Sequence, residues 1–72
     1  MKIEIISIIK NILEEEVLES TNKDNAKNWD SLNHIKIILA LQSKFNIKFS
    51  VEEISNSYNV NSLINLVSSK LS

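Results

Sequence analysis

The 72-residue chain contains neither glycine nor proline, and this absence restricts the folds that it can adopt. Tight β-hairpins usually place glycine where the backbone needs a positive φ angle, so the composition disfavours a β-rich domain. Asn, Asp and Ser are plentiful between the apolar segments, and these residues form the turns that connect helices. We therefore expect residues 1–72 to form a single all-α domain.

Apolar residues recur at three- and four-residue steps, which is the pattern of amphipathic helices. The first three predicted helices cover residues 3–18, 31–45 and 51–57. Ser50 and Glu53 match a capping box at the start of the short third helix. Asn61 or Ser62 is expected to cap a fourth helix that ends near Leu71. The sequence thus predicts a small four-helix bundle with a long first loop and a short third helix.

A polar stretch over residues 19–30 separates the first two predicted helices and shows no apolar periodicity. A loop of this length in so small a domain is usually functional or mobile. Only Ala26 and Trp29 can anchor it to the bundle. We expect Trp29, the sole tryptophan, to pack the loop onto the helices. Direct contact of the indole with a ligand is the alternative.

The second predicted helix carries two apolar stripes on different faces. One stripe consists of Ile37, Ile38, Leu41 and Phe45, and we assign it to the core. The other consists of Leu32, Ile35 and Leu39. A bundle of this size has difficulty burying both stripes, so we expect the second one to be partly exposed and available to a partner protein. The alternative is that both stripes belong to the core.

Charge and composition exclude several classes of function. The net charge is −1, and all eight basic residues are lysines, so no arginine is present to read guanine or phosphate in a bidentate manner. We therefore expect no binding to nucleic acids. No apolar run is long enough to span a membrane, and a cytoplasmic monomer is the expectation. One histidine and no cysteine exclude a thiol nucleophile and a histidine-based metal cluster, so we expect neither an enzyme nor a metal site.

Ser31 lies where the polar stretch ends and the second helix begins, with Asp30 as a plausible helix cap. Its hydroxyl would lie in the first turn of that helix. A helix N-terminus presents unpaired N–H groups and a partial positive charge, and both favour a phosphate. This position suits a serine that carries a phosphodiester.

The sequence Asp30-Ser31-Leu32 at the start of a long second helix resembles the attachment motif of acyl carrier proteins. The similarity covers essentially the whole chain, because its length and its pattern of helices also fit that family. The resemblance implies that a phosphopantetheinyl transferase attaches 4′-phosphopantetheine to Ser31. The terminal thiol of that group would then carry an acyl or related group as a thioester. It also implies that Asp30 helps to bind the Mg²⁺ of the transferase and that Leu32 contacts partner enzymes.

The chain departs from the usual family pattern in two places. Asn28 and Trp29 stand where a glycine is usual, which is closer to a Trp-Asp-Ser-Leu variant of carriers dedicated to surface-polysaccharide and specialised-metabolite synthesis. The acidic residues usual along the second helix of fatty-acid carriers are replaced by Asn33, Lys36, Gln42 and Ser43. We therefore expect dedicated partners, a loading ligase for an acyl or aminoacyl group and a downstream transferase. They would contact Asp30, Leu32, Ile35, Lys36 and Leu39.

Three further questions stay open at the level of sequence. An unmodified carrier-like fold that serves as an interaction scaffold is the alternative function. His34 is expected to be a polar residue beside solvent, and the alternatives are a contact with the prosthetic arm or a response to pH. An acyl-chain lining or a filled core are both possible for Ile38, Leu41, Phe49 and Ile54, and the filled core is the simpler interpretation.

Overall fold

The computed structural model describes residues 1–72 and contains four α-helices. They are α1 (Lys2–Leu13), α2 (Ser31–Phe45), α3 (Val51–Ser55) and α4 (Val60–Leu71). The predicted all-α bundle is confirmed, and α2 has the predicted limits. Asn46 ends α2 with a left-handed backbone conformation at φ 56°. Glycine is the usual residue at such a position, and asparagine adopts this conformation more readily than most other residues.

The first helix ends at Leu13, so the predicted extension to residue 18 was wrong. Glu14 adopts a left-handed conformation at φ 57°, and the chain turns away from the helix axis. The Glu15 carboxylate then accepts hydrogen bonds from the backbone N–H groups of Lys27 and Asn28, at 3.1 and 2.8 Å. The Asn28 side chain donates to the Leu13 carbonyl at 2.8 Å, which satisfies an acceptor that the helix end leaves free. These contacts with the distant loop stop the helix.

The two helices of the C-terminal half also differ from the prediction. The capping box of Ser50 and Glu53 is present, but α3 ends at Ser55 rather than at residue 57. Asn59 caps α4 through its side-chain oxygen, which accepts from the Ser62 N–H at 2.7 Å. The predicted caps at Asn61 and Ser62 were therefore wrong. Residues 57 and 58 lie outside the helix, and both side chains contact the ring of His34 on α2.

The core lies between α1, α2 and α4, which pack against one another. Its buried apolar members are Ile5, Ile9, Leu13, Val17, Trp29, Ile37, Ile38, Leu41, Phe49, Val60, Leu63, Ile64 and Val67. The short α3 contributes no fully buried residue. It is attached to α4 by an ion pair of 2.9 Å between Glu53 and Lys70, and this contact lowers the pKa of the Glu53 carboxyl. None of the four helices has the length and apolar character needed to cross a bilayer.

Candidate functional site around Ser31

Ser31 is the first residue of α2, and its side chain is exposed to solvent. Asp30 precedes the helix in an extended conformation and caps it, because its carboxylate accepts from the Asn33 N–H at 2.8 Å. The backbone carbonyl of Asp30 accepts the first helical hydrogen bond, from the His34 N–H at 2.9 Å. The hydroxyl of Ser31 is thus held at the positive end of a fifteen-residue helix dipole.

Polar contacts fix the loop that leads to Ser31. The Asn33 side chain donates to the Asn28 carbonyl at 2.8 Å, and Asn28 in turn donates to the end of α1. Further back, the loop pairs with the connection between α3 and α4 through an antiparallel bridge of Asn22 and Asn59. The Val60 N–H donates to the Thr21 carbonyl at 3.0 Å within this pairing. The long loop is therefore tied to three parts of the bundle rather than free.

Trp29 packs the same loop onto the helices, as predicted. Its side chain is 5% exposed, and its indole N–H donates to Nδ1 of His34 at 3.0 Å. A buried indole N–H requires such a partner. This hydrogen bond explains the position of the ring without a ligand. Trp29 also forms part of the wall of a groove beside Ser31.

His34 is fully buried, so the expectation that it lies beside solvent was wrong. Its Nδ1 accepts from Trp29, and the neutral ring therefore carries its proton on Nε2, which donates to the Ile54 carbonyl at 2.8 Å. Tyr58 stacks on the ring with a centroid distance of 3.7 Å, and the Ser57 hydroxyl lies 3.5 Å from Nε2. Removal of the ring from water lowers the pKa of His34 below its ordinary value of 6.5, and the Ile54 carbonyl partly offsets this.

The burial of His34 could have been read from the sequence. His34 precedes the core residues Ile37, Ile38 and Leu41 by three, four and seven positions, so it shares their face of the helix. Because the imidazole ring is polar, His34 was not assigned to the buried face. The partners of the ring, at positions 54, 57 and 58, lie more than a full helix away in the chain, and no local pattern identifies them.

The apolar stripe next to Ser31 is exposed, as predicted. Leu32, Ile35 and Leu39 are 66%, 43% and 58% exposed, and Lys36 is also exposed. These side chains lie on the side of α2 opposite its buried residues. The alternative in which both stripes belong to the core is excluded. Their use by a partner protein stays a prediction.

A polar groove of about 930 Å³ lies beside Ser31, between the first loop and the connection from α3 to α4. Fourteen residues line it, and all except Trp29 and Tyr58 are polar. The candidate acyl-chain lining has a different place in the structure. Ile38, Leu41 and Phe49 are buried in the core, and Ile54 packs against it, in agreement with the filled core.

The sole histidine of the chain is not placed to act as a general base for the Ser31 hydroxyl. Both ring nitrogens of His34, the sole histidine, are engaged beneath the surface, so they do not reach an exposed hydroxyl. No group of three acidic or histidine side chains is arranged to hold a metal ion.

The structure is similar to the solution NMR structure of a holo acyl carrier protein from Geobacter metallireducens. The two share 27% sequence identity at a TM-score of 0.84, and the alignment covers 97% of this chain and 84% of that one. No family model matches the chain, and no curated protein matches its sequence. The resemblance to acyl carrier proteins is thus confirmed for the fold. This fold is that of a carrier rather than a catalyst, which agrees with the expectation of no enzyme.

The burial of neutral His34 predicts that folding stability depends on pH. In the unfolded chain this residue binds a proton below about pH 6.5, whereas the folded pKa is lower. Stability is therefore complete above pH 6.5 and falls as the pH decreases toward the folded pKa, by at most about 1.4 kcal/mol per pH unit. Urea midpoints followed by Trp29 fluorescence at pH 7.5, 6.5 and 5.5 measure this.

The matched variant is His34→Gln, which removes the only histidine and keeps a donor and an acceptor at the position. We expect its midpoint to be nearly constant over the same interval. An equal decline in both proteins would show that His34 does not cause the pH dependence.

Proposed function

We propose that this chain is a carrier protein that bears 4′-phosphopantetheine on Ser31 and presents an acyl or related group, held as a thioester, to biosynthetic enzymes. The principal support is an exposed Ser31 hydroxyl at the N-terminus of α2, within a fold shared with a holo acyl carrier protein. When bound, the prosthetic group supplies the thiol that this cysteine-free chain lacks. The tether raises the effective concentration of the cargo at successive enzymes.

The residues around Ser31 fit a phosphodiester. The hydroxyl is exposed, and the first turn of α2 directs backbone N–H groups toward it. Of the donors in that turn, Asp30 occupies the N–H of Asn33, while those of Ser31 and Leu32 precede the first helical hydrogen bond. The groove at the same place leaves room for the polar arm beyond the phosphate.

Attachment needs a separate transferase. The Ser31 oxygen forms a bond to the β-phosphorus of coenzyme A, the pyrophosphate linkage breaks, and 3′,5′-ADP leaves. The hydroxyl proton passes to a base of the transferase, since His34 is buried. One oxygen of the exposed Asp30 carboxylate caps α2, and we assign the other to the Mg²⁺ that the transferase holds during the step.

The partner surface that we propose consists of Asp30, Leu32, Ile35, Lys36 and Leu39, all of which are exposed. The fifteen residues of α2 include no Asp or Glu, and two lysines give the helix a positive charge. Enzymes that recognise acidic carriers would be attracted weakly. We therefore propose dedicated partners, a loading ligase and a downstream transferase of surface-polysaccharide or specialised-metabolite synthesis, acting with a monomeric carrier in the cytoplasm.

Intact-mass measurement tests the attachment directly. We expect the native chain to gain the mass of one phosphopantetheine after incubation with coenzyme A, Mg²⁺ and a broad-specificity phosphopantetheinyl transferase. Ser31→Ala should gain nothing, because the accepting oxygen is missing. Ser55→Ala removes another hydroxyl from the groove and should gain the full mass. No gain on the folded native chain with several transferases would favour the unmodified scaffold.

The two roles assigned to Asp30 can be separated with Asp30→Asn. Asparagine is as good a helix cap as aspartate, so the urea midpoint should change little. Loss of the carboxylate should lower the attachment rate, on the order of tenfold. Asp24→Asn removes another carboxylate that lines the groove and should leave the rate unchanged. A native rate for Asp30→Asn would restrict Asp30 to capping.

The apolar stripe can be tested with the first expected partner, the transferase. Leu32→Glu should raise the KM for the carrier on the order of tenfold, because it places a charge in the contact surface. Since Leu32 is 66% exposed, the helical circular dichroism signal should not change. Val51→Glu alters a residue of α3 that is 81% exposed and should keep the native KM. Equal effects of the two variants would argue against a specific surface.

A further inference from the structure

Polar residues make up most of the lining of the groove beside Ser31, twelve of its fourteen residues. Asn56 and Asn61 are exposed on its wall, and neither residue serves as a side-chain cap. Asn59 differs from them, because its side-chain oxygen is engaged at the start of α4. Carboxamides of this kind complement the two amide groups and the hydroxyl of a pantetheine arm, since they both donate and accept.

The interior next to Ser31 is closed by hydrogen bonds. His34 of α2 donates to the Ile54 carbonyl of α3 at 2.8 Å, and Trp29 donates to the same ring at 3.0 Å. Directly below them, Ile38 and Leu41 are 2% and 0% exposed. Every buried side-chain polar atom has a partner. An alkyl chain that entered between α2 and α3 would separate His34 from Ile54 and leave buried polar groups unsatisfied.

The other apolar surface near Ser31 does not enclose a chain. Leu32, Ile35 and Leu39 lie on the outer side of a single helix, and all three are more than two-fifths exposed. A long alkyl group on this convex surface would stay largely in water, where its exposure is unfavourable. A short group with hydrogen-bonding substituents has no such requirement and matches the polar groove.

From these contacts we propose that the groove is the resting site of the prosthetic arm and that the cargo is a short acyl group bearing hydrogen-bonding substituents, such as a hydroxyacyl or aminoacyl group. This inference rests on the proposed attachment to Ser31. A long fatty acyl chain is not the cargo, because its entry into the interior would break the bond of His34 to Ile54 and because polar residues dominate the lining of the groove.

Three loaded forms of the same ¹⁵N-labelled protein test the proposal. The transferase is supplied with coenzyme A, 3-hydroxybutyryl-CoA or octanoyl-CoA, and intact mass confirms each product. We expect all three forms to shift the amide signals of the groove, including the side-chain signals of Asn56 and Asn61. The octanoyl form should leave the indole N–H signal of Trp29 and the backbone signals of Ile38 and Leu41 where they are in the hydroxybutyryl form.

A double variant links the groove to the arm. Asn56→Ala with Asn61→Ala should reduce the shifts of the remaining groove signals at least by half. The control, Asn11→Ala with Asn65→Ala, changes two exposed carboxamides elsewhere and should keep the native shifts. The readout is the spectrum of each holo form against its own apo form.

The outcomes separate this inference from the proposed function. A mass gain without shifts in the groove, or octanoyl-specific shifts at Trp29 and Ile38, would overturn the inference and leave the attachment intact. Absence of any mass gain would instead refute the attachment itself, and the inference with it.

Discussion

The imidazole of His34 holds together the part of the molecule that lies beneath Ser31. One ring nitrogen bonds the indole of the first loop, the other bonds the backbone of α3, and the face of the ring stacks on Tyr58. A neutral ring can do this because it both donates and accepts. A single buried side chain thereby joins α2, α3 and two connections, at the level directly beneath Ser31.

The two faces of α2 have different surroundings. Its inner face packs Ile37, Ile38 and Leu41 into the core, and its outer face leaves apolar and cationic side chains in solvent. Ser31 lies at the N-terminus of the helix, where the cap at Asp30 and the hydrogen bond of Asn33 to the first loop fix its position. In the proposed carrier function, this exposed hydroxyl would bear the prosthetic arm, and the fold would hold the attachment point in place.

The sequence predicted those parts of the structure that local patterns determine. The cap at Asp30 and the apolar period set the limits of α2, and the capping box of Ser50 and Glu53 set the start of α3. The exposure of Leu32 and Leu39 followed from their angle on the helix. The end of α1 could not be predicted in the same way, because contacts of Glu15 and Asn28 across 12 to 15 positions decide it. The partners of His34 were missed for the same reason.

The most direct measurement of the central claim is peptide mapping by tandem mass spectrometry of the protein isolated from the cells that produce it. We expect phosphopantetheine, or its acylated form, on the peptide that contains Ser31 and on no other. A Ser31 peptide that is unmodified in all growth phases would contradict the carrier function and indicate an interaction scaffold with the same fold.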